Sequence, residues 1–348
     1  MMKARYKGVL AAITVSIWSL TSSVPCAADP IADFYKGKQI SVIISSDVGG
    51  GYDAFSRTIS RHMSRHLAGN PTLVPQNMPG ASGLKTANFL QNGAGRDGTV
   101  FAGVQNTVPF APLMAVPGAQ FDALKMGWVG NANSESAVAF VWHTSTVQSF
   151  ADLQAREVTM ASSGGATGQP ALYARMLNKV LGARIKLVLG YPGSNQAMLA
   201  VERGEVEGYP ALFWSSLKAT KPDWVANKSI RLLVQVGLSK HPELPDVPLA
   251  LDLAQGDEDK QVMRLVAAST TLGRPYVAPP DLPADRLAAL RAAFMATMTD
   301  REFLADIDRQ HLEVVEPMEG SAMASVIADA YASPLAVVKK LQEIQEPQ

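Results

Sequence analysis

The sequence predicts an α/β protein of two domains with parallel sheets, and three observations lead there. Short apolar runs rich in β-branched residues alternate with helical periodicities along most of the chain. Once a leader is removed about 320 residues remain, more than one hydrophobic core usually holds. Glycine-rich turns repeatedly join the end of a strand to the start of a helix, as open parallel sheets require.

The leader comes first. Residues 1–8 carry Lys3, Arg5 and Lys7, Val9–Leu20 is apolar, and Thr21–Ala28 is small. That order marks a secretory signal peptide, with cleavage expected after Ala28, and the apolar run falls short of the roughly 20 residues a spanning helix needs. A lipid anchor at Cys26 is the weaker reading, since Pro25 stands just before it. Cleavage removes the single cysteine of the chain, so neither disulfide nor thiolate chemistry is expected. It also removes three of the 31 basic residues and none of the 31 acidic ones, leaving a net charge of −3. No Lys/Arg-rich run offsets this, which argues against a nucleic-acid partner.

From residue 39 the elements follow in order. Gln39–Ser45 reads as a buried strand, Ala54–Leu67 as a helix, Thr72–Gln76 as a strand, Gly83–Asn92 as a helix and Thr99–Val104 as a strand. Ala137–Trp142 is a fourth strand. Phe150–Leu153 opens a second unit, in which strand Glu157–Ala161, helix Ala171–Leu181, strand Lys186–Leu189, helix Ser194–Arg203 and strand Val206–Tyr209 succeed one another. Ile230–Val236 is a further strand. Ser239–Asp257 is a long loop rich in Pro and acid, and the last third is helical: Ala284–Met298, Asp300–Gln310 and Gly320–Gln342, the last broken at Pro334.

Four strand-to-helix turns carry the functional signal: Asp47–Asp53, Pro79–Gly83, Ser162–Gly168 and Tyr191–Ser194. Asp53 is the expected N-cap of the first helix. A helix start offers unpaired N–H donors and partial positive charge, and glycine lets backbone approach an anion. One such turn means little, but four divided between two domains imply an anion held in a cleft between them. None of the four contains Lys or Arg, so recognition by backbone dipoles rather than an arginine clamp is expected.

Other candidates are weaker. His62 and His66 are one helical turn apart but sit beside Phe55 and Ile59, away from Arg57, Arg61 and Arg65, and read as helix-packing residues rather than zinc ligands. Arg57 is expected to pair with Asp53. Ser162 and Ser163 lack the Gly-x-Ser-x-Gly elbow of a hydrolase, and Gly49–Gly51 lacks the Lys and Ser/Thr of a phosphate-binding loop. Neither catalysis, a metal nor a cofactor is expected. Phe110, Phe213 and Trp214 read as core, with Tyr191 and Tyr209 the better candidates for a ligand wall.

Several segments resemble the periplasmic solute receptors of tripartite tricarboxylate transporters, the Bug family. They are the opening strand Phe34–Ile44, Val48-Gly49-Gly50-Gly51-Tyr52-Asp53 with Arg57, Asn77–Gly83, Gly190–Ser194 and the run Leu244-Pro245-Asp246-Val247-Pro248. The sequence departs from the family pattern at Val48, where Pro is usual, at Pro192, where Lys is frequent, and at Ser162–Gly165, where Gly-x-x-Gly is commoner. The resemblance implies a type II periplasmic-binding-protein fold, two Rossmann-like domains joined by two crossover strands. Domain 1 would comprise residues 29–134 and 234–348, and domain 2 residues 135–233. It further implies a periplasmic receptor that holds a di- or tricarboxylate or aromatic acid and passes it to membrane permease subunits; a monomer is expected, and presentation of the ligand to a sensor kinase stays open as a second reading. The candidate contacts are Val48, Gly49, Gly50, Tyr52 and Asp53; Gly80, Ala81, Asn106 and Thr107; Ser162, Ser163, Gly164, Gly165, Ala166 and Thr167; and Tyr191, Ser194 and Tyr209.

Overall fold

The structure, a computed structural model, describes Met1 and residues 29–345; most of the expected leader, residues 2–28, lies outside the described residues. Two sheets carry the fold. The first contains β1 (Gln39–Ile44), β2 (Thr72–Asn77), β3 (Val100–Gly103), β4 (Gly127–Asn131), β10 (Pro275–Ala278) and β11 (Met318–Glu319), in the order β11-β4-β10-β3-β1-β2. The second contains β5 (Ala137–Trp142), β6 (Val158–Ser163), β7 (Ile185–Tyr191), β8 (Gly208–Phe213) and β9 (Ile230–Val236), in the order β7-β6-β8-β5-β9. Helix α1 (Pro30–Tyr35) precedes β1, and α2 (Gly51–His62), α3 (Leu84–Asn92), α4 (Phe150–Ala155), α5 (Gln169–Leu181), α6 (Ser194–Glu202), α7 (Trp214–Thr220) and α8 (Pro222–Ala226) connect the strands. Beyond β9 lie α9 (Ala250–Leu253), α10 (Asp257–Thr271), α11 (Ala284–Met298), α12 (Arg301–Arg309), α13 (Gly320–Tyr331) and α14 (Leu335–Gln345).

The sheets are mixed rather than wholly parallel. β1 runs parallel to β2 and β3, and β6 to β7 and β8. β10 is antiparallel to β3 and β4, and β5 is antiparallel to β8 and β9. The chain passes from the first sheet to the second between β4 and β5 and returns after β9. The strands around these passages run against their neighbours, whereas helix-linked strands run with them.

Burial explains the placement. In β1, Ile40, Val42, Ile43 and Ile44 are all buried, the near-continuous apolar pattern of a central strand covered on both faces. Phe55 and Ile59 of α2 pack with Phe294 and Phe303 beside the first sheet. Phe140, Tyr209 and Trp224 pack with Met198 and Val201 of α6 on the second. α14 lies against α5 and α10, beyond a 92° bend from α13 at residues 332–334, where the sequence placed its proline break. Among the described residues, no single helix is long and apolar enough to cross a membrane.

One helix start differs from expectation in a way that shapes the site. α2 begins at Gly51 with Gly50 as N-cap, so Asp53 is in its first turn rather than at the cap. The Asp53 carboxylate instead accepts from Gly49 N–H (3.0 Å), from Arg57 Nε (2.9 Å) and from Asn77 Nδ2 (2.8 Å). Burial raises its pKa, but these donors more than offset that and hold it below the usual carboxylate value.

Candidate ligand-binding cleft

A cavity of about 450 Å³ opens between the two sheets, within the size range of small-ligand sites. It is lined from the carboxyl ends of the parallel strands on both sides, where open sheets present their helix starts.

Each glycine-rich turn is built for close approach. In the first, Gly49 has φ +87°, and Gly50 ends in extended backbone that aims the start of α2 at the cavity. In the second, Gly80, Ala81, Ser82 and Gly83 all have positive φ (146°, 45°, 54° and 91°). Left-handed backbone at Ala81 and Ser82 costs about 1–3 kcal/mol each, strain of the kind that concentrates at functional sites. In the third, Gly164 and Gly165 (φ +76° and +71°) lead through a 3-10 turn to α5, and in the fourth Gly193 caps α6. Two of the turns are bridged across the cleft: Ser82 Oγ donates to Gly164 O (2.5 Å), and Asn195 Nδ2 donates to Gly49 O (3.2 Å).

No protein-family model matches the chain, and no curated protein does. Solved structures do match. A TctC solute-binding protein from Polaromonas aligns with a TM-score of 0.61 at 18% identity, over 89% of this chain and 98% of its own. The periplasmic binding protein BugD gives 0.68 at 16% identity over 89% and 97%, and MatC from Rhodopseudomonas palustris, with bound malate, gives 0.67 at 16% identity over 89% and 99%. The chain has the type II periplasmic-binding-protein fold. Its structural neighbours include TctC and Bug solute-binding proteins.

Within this binding-protein fold, the candidate residues divide by position. Val48, Gly50 and Tyr52 line the cavity from the first turn, and Gly80 and Ala81 from the second. Ser163, Gly164 and Gly165 line it from the third, with Tyr191, Ser194 and Tyr209 beside them. The others stand behind it. Gly49 has its N–H bound by Asp53 and its carbonyl by Asn195, and Asp53 holds Arg57 and Asn77. Asn106 is fully buried, donating to Ser269 O and accepting from Tyr52 Oη. Ser162 is buried within β6, Thr107 is buried too, Ala166 O accepts from Arg175 (2.8 Å), and neither Ala166 nor Thr167 is in the cavity lining.

The two tyrosines expected as walls differ. Tyr209 is 1% exposed, stacks on Phe140 and shares a 2.6 Å hydrogen bond with Ser163 Oγ. Burial outweighs that bond and pushes its hydroxyl up to about 12, so it stays protonated. Tyr191 is half-buried at the end of β7. Trp214 is core, donating from Nε1 to Glu243, whereas Phe213 reaches the cavity.

The structure also brings in residues the sequence did not point to. Ser45 and Ser46 at the end of β1, Gln169 at the start of α5, and Arg274 all line the cavity, and each has a buried polar atom with no hydrogen-bond partner among the described residues. Arg274 corrects the expectation of a site without basic side chains. That holds for the four turns but not for the cavity, because Arg274 stands immediately before β10, far along the chain. The one sequence clue was a lone arginine in Gly273-Arg274-Pro275, ahead of a strand too short to be recognised.

His62 and His66 each engage an acidic partner. His62 Nε2 meets Asp306 (3.0 Å) and His66 Nε2 meets Asp300 (2.7 Å), both at or within α12. Arg61 and Arg65 bind these same two carboxylates rather than facing away, because α12 docks along α2 and the turn that follows it.

Proposed function

We propose that the protein is a periplasmic receptor that captures a small carboxylate in the cleft between its two sheets and delivers it to the membrane permease of a tripartite tricarboxylate-type transporter. The observation that carries this reading is the cavity itself, lined by helix starts from both sheets and by donor groups that an anion would satisfy. MatC, of the same fold, binds malate. In this reading residues 29–134 and 234–348 form one domain, residues 135–233 the other, and the passages between β4 and β5 and after β9 act as the hinge. One ligand carboxylate accepts from the starts of α2 and the 3-10 turn before α5, while Tyr191 and Phe213 wall the apolar part. No step of catalysis is assigned: Ser163 faces Tyr209 rather than a base.

A thermal-shift panel of mono-, di- and tricarboxylates and aromatic acids tests it. An acid present at 100 times its dissociation constant stabilises the folded state by about 2.7 kcal/mol, a rise easily read in Tm. The bound acid should be recovered unchanged by mass spectrometry. A panel in which no acid raises Tm, or in which a bound acid is converted, sinks the receptor reading.

A further inference from the structure

Arg274 is the single Lys or Arg in the cavity lining and is only 1% exposed. Its backbone is fixed to β4: Arg274 N–H donates to Asn131 Oδ1 (2.8 Å) and its carbonyl accepts from Ala132 (3.0 Å). Its side chain is equally constrained. Nη2 meets Glu135 Oε1 (2.9 Å), Ser215 Oγ (3.2 Å) and Ser216 Oγ (2.8 Å), and the guanidinium carbon lies over the rings of Tyr52, Phe213 and Phe55 at 4.5, 5.0 and 5.1 Å. A structural role as the partner of Glu135 accounts for Nη2 alone. Nε and Nη1 are buried with no acceptor among the described residues. Charged donors are seldom left so, because an unmade hydrogen bond to a buried charge is among the more expensive defects of a folded protein.

Resting on the carboxylate reading above, we propose that Arg274 is a specificity-determining residue, donating to a second acid group of the ligand. The ligand is then a diacid: one carboxylate sits on the helix starts, and the other meets the free N–H donors of the guanidinium. The Glu135 charge leaves the pair neutral overall without ligand, so the second acid group is held by directed N–H donors rather than by bulk positive charge. Asp47, the one carboxylate in the lining, is on the first turn beside Gly193.

Isothermal titration of the purified protein with matched acids tests this. Succinate, glutarate, adipate and terephthalate are each compared with the monoacid of the same skeleton: butyrate, pentanoate, hexanoate and 4-methylbenzoate. The best-bound diacid is expected to bind at least about tenfold more tightly than its monoacid mate. Arg274→Gln combined with Glu135→Gln leaves neither charge of the buried pair alone; it should erase that preference, the diacid Kd rising to that of its monoacid mate. Arg274→Lys, which keeps the charge and loses the rigid fork, should fall between. A diacid bound no more tightly than its mate by the unmodified protein overturns the proposal whether or not the variants fold, and so does a preference that survives in the double variant. Monoacids that bind without diacid preference overturn this inference alone. If none of the eight acids binds and no acid of the thermal-shift panel raises Tm, the carboxylate reading falls and this one with it.

Discussion

Gly50 and Gly51 are neighbours in sequence with opposite surroundings. A Cβ on Gly51 would come within 2.3 Å of Ser216 Oγ and 2.9 Å of Arg274 Nη2, so its lack of a side chain is what lets α2 lie against them. A Cβ on Gly50 would meet only Ser194 Oγ at 3.6 Å, across the cleft, and its φ of −86° suits any residue. Gly50→Val therefore separates binding from folding. The isopropyl group would stand where a carboxylate approaches the start of α2, and carboxylate affinity should fall at least tenfold, about 1.4 kcal/mol. Loss of the N-cap glycine itself should lower stability by no more than about 1 kcal/mol. Titration calorimetry beside circular dichroism checks both halves, and an unchanged Kd would move the anion away from this turn.

At the scale of elements, legibility in the sequence followed how local the cause was. β9 and α11 occupy the predicted spans Ile230–Val236 and Ala284–Met298, because each carries its own apolar pattern. β4 and β10 were not recognised. β4 includes two glycines and an asparagine, and it is a strand because β10 and β11 pair with it from far along the chain. α10 was likewise obscured, since its acidic first turn continues the polar loop before it. The same limit hid Arg274, whose neighbours Glu135, Ser215 and Tyr52 come from three separate segments. Docking of α12 on α2 is a further contact set by topology, and it makes a pH prediction. Burial raises the pKa of Asp306, but hydrogen bonds from His62 and Arg61, with the charges of Arg61 and Arg309, outweigh it and hold the group at about 2. A depressed acid adds stability above its unfolded value near 3.8, and that stability is lost as pH falls towards 2. Asp306→Asn should therefore lower the urea midpoint at pH 6 and flatten its fall between pH 4 and pH 2. A parent-like slope in that window would remove Asp306 from the acid response.

For the whole molecule, the decisive feature is that the cavity belongs to neither sheet alone. Val48–Tyr52 and Gly80–Ser82 approach it from the first sheet; Ser163–Gly165 and Tyr191–Ser194 approach it from the second. Across it run the Ser82–Gly164 and Asn195–Gly49 hydrogen bonds. Each is worth about 0.5–1.5 kcal/mol net, and Arg274 adds bonds from the first sheet's side to Ser215 and Ser216. A ligand touching both sides adds to the closed arrangement alone, so it should draw an open population towards it. X-ray scattering is expected to show a smaller radius of gyration with saturating ligand than without. Ser82→Ala with Asn195→Ala removes these two donors, leaves the Arg274 bonds in place and touches no residue of the apolar core. That variant should be more expanded when free, compact to the parent dimension when saturated, and bind more weakly, by no more than the two lost bonds allow. The order matters: the free state changes most and the saturated state least, because the ligand replaces what the two bonds supplied. Tight binding with no change in radius, in parent and variant alike, would confine the ligand to one side of the cleft and rule out closure as the means of holding it.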